Sequence, residues 1–106
     1  MLDRTPLHIE VATPDATTVT LALSGDLDYD SVTQLAGLTL PAGHTAIDVD
    51  LSRLTFIDSS GLAALVRLQQ QAADAGAVVR VVALTPHLRS LFLMTALDRL
   101  FSLPPG

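Results

Sequence analysis

From Leu7 to Val11 apolar and polar residues alternate, with Leu7, Ile9 and Val11 facing one way. That is the period of a half-buried strand. Thr13-Pro14-Asp15 marks a turn, and Thr18 to Leu23 alternates again with β-branched residues, which predicts a second strand ended by Ser24-Gly25. Val32, Leu35, Ala36 and Leu38 fall at helical spacing behind Asp28 or Asp30, either of which can cap a helix. Pro41-Ala42-Gly43-His44 breaks the chain. Thr45 to Leu51 then alternates, with Ile47, Val49 and Leu51 on one side and Asp48 and Asp50 on the other. Leu54, Phe56 and Ile57 lead into Asp58-Ser59-Ser60-Gly61.

A proline-free stretch from about Ser59 to Ala75 follows, with Leu62, Leu65, Val66 and Leu68 as its packing face and Gly76 as its C-terminal cap. The apolar run Val78 to Leu84 predicts a buried strand. Thr85-Pro86 reads as a cap with proline at the first helical position, opening a helix from His87 to about Leu97. Leu91, Phe92, Leu93 and Met94 cannot all face one core, so part of this helix is expected to be an exposed contact patch. Leu100, Phe101 and Leu103 form a final short strand before Pro104-Pro105-Gly106. Strands and helices alternate after a first hairpin-like pair, which predicts an α/β domain with a mixed sheet. A chain of 106 residues fits a single domain over residues 1–106.

Composition narrows the function. About half the residues are apolar, mostly Leu, Val and Ala, so a core can form without staples. Cysteine is absent, which removes disulfide and thiolate chemistry and fits a reducing cytosol. The net charge is −5 and the basic residues, all arginine, are scattered at positions 4, 53, 67, 80, 89 and 99. No basic patch forms, which disfavours nucleic acid. Neither a membrane span nor an N-terminal apolar signal is visible, so a cytoplasmic domain without membrane insertion is expected.

Candidate chemistry concentrates at Asp58-Ser59-Ser60-Gly61. Asp58 or Ser59 can accept hydrogen bonds from free N–H groups at the helix start, and Gly61 lets helix and strand approach closely. A purely structural cap accounts for these residue types. The same position also suits modification. A serine at a strand-to-helix junction is exposed, and a phosphate there meets the positive end of the helix dipole while adding close to two negative charges. A serine nucleophile is disfavoured: no nucleophile elbow is present, and His8, His44 and His87 have no spacing that argues for a triad. The acid pairs Asp26/Asp28 and Asp48/Asp50 suggest a metal only weakly; solvated strand acids explain them better. With no phosphate-binding glycine loop either, neither a cofactor nor a metal is expected, and the chain is read as a non-enzyme.

Three segments, in order, resemble the STAS domains of anti-sigma factor antagonists. Gly25-Asp26-Leu27-Asp28 resembles their G-E/D-L-D segment. Residues 48–66, DVDLSRLTFIDSSGLAALV, resemble their central signature, and residues 84–101, LTPHLRSLFLMTALDRLF, resemble their last segment. The resemblance covers nearly the whole chain. It implies a mixed β-sheet with helices packed largely on one face. It also implies that Ser59 is the residue phosphorylated by an anti-sigma factor with Ser/Thr kinase activity. Unphosphorylated antagonist binds that factor and releases a sigma factor; a phosphatase restores it. Asp26, Asp28 and Asp58, together with Ser60, Gly61 and Leu62, then belong to the partner-binding surface. The implied role is transcription regulation in a stress response. The alternative is a STAS scaffold or accessory subunit of a stress-signalling assembly or membrane transporter.

Overall fold

Two strands joined by a short turn start the sheet in the computed structural model, which describes residues 5–38, 40 and 43–105. Part of the expected Pro41–His44 break, the final Gly106 and the first four residues lie outside the described residues. Strand β1 (His8–Ala12) pairs antiparallel with β2 (Thr18–Leu27), placing Ile9 opposite Leu23 and Val11 opposite Leu21. The Asp15 carboxylate closes the turn by accepting the N–H groups of Thr17 and Thr18, each at 2.8 Å. The hydrogen bonds from Thr17, then those from Thr18, hold this carboxyl below its ordinary range.

The expectation that Ser24-Gly25 ends the second strand is corrected. Strand β2 runs on to Leu27 and stays paired with the next strand through Leu27–Ile57. Gly25 takes a φ of +87° between two register shifts, so the irregularity is absorbed as a bulge rather than a stop. A Cβ at Gly25 would overlap the Pro6 carbonyl oxygen, so this position also needs the missing side chain.

Helix α1 (Val32–Ala36) carries the chain over to β3 (Ala46–Ile57), which lies parallel to β2. Strand β3 is longer than the alternation over residues 45–51 suggests, because Leu54 and Ile57 continue its pairing past Ser52-Arg53. Helix α2 (Ser59–Asp74) returns the chain to β4 (Val78–Leu84), parallel to β3, and Gly76 leaves the helix at a φ of +79°. Thr85 caps α3 (Pro86–Met94) by accepting the Leu88 N–H at 3.1 Å, with Pro86 in the first turn. This helix ends at Met94, before a 3₁₀ turn at Leu97–Arg99. The expected last strand is reduced to one bridge: the Val81 N–H donates to the Ser102 carbonyl at 2.9 Å, with Arg80 and Ser102 as paired positions.

Sheet order is β1-β2-β3-β4. One face is apolar throughout: Val19, Leu21, Leu23 and Leu27 on β2, Ile47, Val49 and Leu51 on β3, Val79 and Val81 on β4. Ala64, Leu65, Leu68 and Ala72 of α2 and Leu88 and Phe92 of α3 close over it in one cluster. Phe92 also packs on Phe101, ring centres 5.6 Å apart. The helices therefore cover one face, as a mixed sheet with short crossovers allows. The opposite face stays open, which corrects the reading of β4 as a fully buried strand: Val78 and Val82 are exposed there, and only alternate positions are buried. Leu93 and Met94 turn away from the core, as the crowding of apolar residues on α3 requires.

Candidate functional site

Among the described residues, the strand-to-helix junction at the carboxyl ends of β2 and β3 gathers a dense set of side-chain hydrogen bonds. Asp58 is the N-cap of α2. Its backbone is extended and its Oδ1 accepts the Gly61 N–H at 2.9 Å. Its other oxygen, Oδ2, accepts the Tyr29 N–H at 3.1 Å. The Asp58 N–H in turn donates to the Leu27 carbonyl at 3.3 Å. One residue thus ties the start of α2 to the end of β2 and to the loop that follows it.

Gly61 is buried at this contact. A Cβ on it would overlap the Leu27 carbonyl oxygen and come within 2.7 Å of Ile57 Cγ1. The glycine is required by close approach, not by backbone angle. The next residue, Leu62, is half-buried and packs against the core, which aims the first turn of α2.

Ser59 is the first residue of α2 and is exposed; Ser60 is half-buried. The first intrahelical bond runs from the Leu62 N–H to the Asp58 carbonyl, so the N–H groups of Ser59 and Ser60 point out of the helix end. Free N–H groups at a helix start favour a negative group placed beside them. Among the described residues no hydrogen bond joins either serine to a histidine, and no cluster of three metal-ligating side chains forms. His8 stands on β1 beside Glu10, at 3.5 Å.

The two acids of the β2 end have different placements. Asp28 is 4% exposed. Its Oδ1 accepts the N–H groups of Asp30 and Ser31 at 3.0 and 3.1 Å, while Ser31 Oγ accepts the Asp28 N–H at 2.9 Å. Ser31 Oγ donates onward to the Asp26 carbonyl at 2.8 Å. Asp28 thus fixes the loop before α1 from within; Ser31 is the N-cap position by backbone, and the reading of Asp28 or Asp30 as cap resolves to Asp28 holding the preceding turn. Asp26 is half-buried. Its Oδ1 accepts the Thr55 hydroxyl at 2.6 Å and its Oδ2 the Thr5 N–H at 3.2 Å. Asp26, Asp28 and Asp30 line an open cleft of about 190 Å³ beside Thr5–Leu7.

The structure therefore brings Asp58, Ser59, Ser60 and Gly61 together with the Asp28 loop, and sets Asp26 at its edge. The pattern of residues did not reveal Tyr29, whose backbone N–H receives Asp58, nor Ser31 and Thr55, whose hydroxyls hold Asp28 and Asp26. Ser31 was discoverable as a small hydroxyl just before an apolar helical run. Tyr29 was not, because a backbone donor carries no residue-type signal.

Solved structures share this arrangement of elements. The anti-sigma factor antagonist SpoIIAA in its unphosphorylated form matches with a TM-score of 0.71 at 20% identity, covering 93% of this chain and 90% of that chain. The Bacillus cell fate determinant SpoIIAA in the phosphorylated form matches with a TM-score of 0.68 at 20% identity, covering 93% of each chain. An anti-sigma factor antagonist from Mycobacterium paratuberculosis matches with a TM-score of 0.71 at 23% identity, covering 94% of this chain and 86% of that one. At these identities the likeness is one of fold. Comparison with curated protein sequences finds no match. The family model described as "Mlab, STAS domain" matches residues 10–104, nearly the whole sequence. With a four-stranded mixed sheet, helices on one face and a capped Asp-Ser-Ser-Gly junction, the chain belongs to the STAS domain family.

Proposed function

We propose that the chain is an anti-sigma factor antagonist, a binding module and not an enzyme, whose affinity for its partner is switched at Ser59. Unphosphorylated, it binds an anti-sigma factor with Ser/Thr kinase activity in the cytoplasm and frees a sigma factor. Phosphorylated on Ser59, it lets go, and a phosphatase resets it. Residues 1–106 act as one unit. The observation that carries this reading is the exposed Ser59 hydroxyl on the first helical position, beside a cap whose carboxylate is already committed to Gly61 and Tyr29.

The physical logic is local. A phosphate on Ser59 adds close to two negative charges within one residue of Asp58. Free N–H groups and the helix dipole stabilise it in the unbound protein. In a docked, partly desolvated contact the same charge costs several kcal/mol unless a cation pairs with it. A loss of roughly 3 kcal/mol is already a hundredfold in affinity. Asp26, Asp58, Ser60, Gly61 and Leu62 form or shape the contact around Ser59. Asp28 supports it from beneath, through the loop that carries Tyr29.

The test is direct. Purified kinase-type anti-sigma factors are titrated with wild type and with Ser59→Asp. Wild type binds and Ser59→Asp binds at least a hundredfold more weakly; equal affinity refutes the switch. Peptide mapping of protein from its own cells, with and without stress, finds a phosphate on Ser59 whose occupancy changes. A second reading, an accessory subunit of a larger assembly, is favoured by the exposed Leu93-Met94 pair of α3. Elution as a large stable particle from native extract is the result that selects it.

A further inference from the structure

The chain has four aromatic residues. Phe92 and Phe101 are buried against each other in the core. The other two, Tyr29 and Phe56, are 76% and 53% exposed, and both stand at the Asp58–Ser59 junction. Tyr29 is the residue whose N–H binds Asp58 Oδ2. Phe56 lies two positions before Asp58 and in register with Asp26 on β2. Neither is needed for the core, and large aromatics left in water beside a single site are the residue types that anchor interfaces.

Their backbones are held before any partner arrives. Tyr29 is fixed through Asp58 and through the buried Asp28–Ser31 pair. Phe56 is fixed by strand pairing and by the neighbouring Thr55 hydroxyl on Asp26. An anchor on a rigid backbone loses less entropy on binding. Asp26 is the register partner of Phe56, Asp58 accepts the Tyr29 N–H and Asp30 follows Tyr29 in the chain, in a protein of net charge −5. Exposed rings with carboxylates at neighbouring positions complement an apolar cleft whose cationic side chains stand at its rim.

We infer that Tyr29 and Phe56 are the apolar anchors of the docking surface beside Ser59, and that they receive an apolar cleft on a protein whose basic side chains lie at the rim of that cleft, against Asp26 and Asp30. This rests on the reading of the chain as an antagonist of a kinase-type anti-sigma factor. The anchors supply affinity and Ser59 supplies the switch: a phosphate there enters the apolar cleft, away from the basic rim, and no cation pairs with it.

Purified kinase-type anti-sigma factor is titrated by calorimetry with wild type, Tyr29→Ala, Phe56→Ala, Ser59→Asp and, as an exposed control at the opposite end of the sheet, Val78→Ser. Tyr29→Ala and Phe56→Ala each weaken binding roughly tenfold or more, with unchanged melting temperature because both side chains are exposed. Val78→Ser binds within about twofold of wild type, because it lies at the start of β4, away from the carboxyl ends of β2 and β3. Tyr29 is the sole tyrosine, so 3-fluorotyrosine labelling gives one fluorine resonance, which shifts or broadens when the factor is added. Wild-type affinity in both aromatic variants, or loss in Val78→Ser alone, overturns the inference while leaving the Ser59 switch standing. Loss in the aromatic variants with wild-type affinity in Ser59→Asp keeps the anchors and refutes the switch. No binding of wild type to any such factor overturns both.

Discussion

Replacing Gly61 with alanine sets two effects against each other, and the structure says which wins. Gly61 is the third residue of α2. Helix propensity alone makes alanine better than glycine in a helix by up to about 1 kcal/mol. The added Cβ, however, would overlap the Leu27 carbonyl oxygen and lie 2.7 Å from Ile57 Cγ1. Neither neighbour can move cheaply. Leu27 is fully buried, paired with Ile57 in the sheet, and its carbonyl accepts the Asp58 N–H at 3.3 Å. Relief requires α2 to retreat from β2, which stretches that bond and the Asp58–Tyr29 bond with it. Overpacking of this kind costs about 1–3 kcal/mol and at times more, so the sum is a destabilisation of about 1–2 kcal/mol. For a domain of this size that is a fall of roughly 5–15 °C in melting temperature. Urea unfolding followed by circular dichroism measures it, with an unchanged slope and a lower midpoint. A variant as stable as wild type, or more stable, would falsify the close-approach argument and return Gly61 to ordinary helix propensity.

Three further outcomes follow from named contacts. Asp58→Ala removes the cap bond to Gly61 and the bond to the Tyr29 N–H; it lowers stability by about 1–2 kcal/mol and moves the Tyr29 amide resonance in a ¹⁵N–¹H spectrum, whereas a cap-only role leaves Tyr29 unmoved. Phe92→Ala empties a fully buried site against Phe101 and costs about 3–5 kcal/mol, while Met94→Ser, 83% exposed on the same helix, stays within about 0.5 kcal/mol; chemical denaturation of the pair checks both. The Asp15 carboxyl is lowered in the folded chain from its ordinary 3.8 by its Thr17 and Thr18 bonds. A lowered group stabilises the fold above its unfolded value and loses that stabilisation as pH falls through the folded value. Asp15→Asn therefore flattens the acid limb of the stability profile below about pH 4, measured by melting temperature against pH, and an unaltered limb refutes it.

Much of this protein was determined by local pattern. Period-two alternation over residues 18–23 and at the start of β3 reports which side chains are buried, since a strand puts neighbours on opposite faces, whereas on the edge strand β1 only Ile9 is half-buried and Val11, expected on the same face, is exposed. Thr85-Pro86 and Gly76 mark helix ends because their chemistry acts within one turn. The Asp-Ser-Ser-Gly stretch declares a helix start for the same reason, and its cap, Asp58, was one of two candidates.

Other features exist only once distant segments meet. Strand β2 passes Gly25 because β3 offers partners on the far side of the bulge, and turn signals cannot register a neighbour so far away in sequence. Strand β4 looks buried by composition but has one open face, since apolar content does not say how many layers cover a sheet. Asp28 passes for a surface acid until Ser31 and the loop close around it. Asp58 reaches Tyr29 across 29 positions, and Gly61 is needed only because Leu27 lies against it. Hydrogen bonds and steric contacts act over a few ångströms of space. The chain's order encodes them where those ångströms lie within one turn, and the tertiary fold decides them everywhere else.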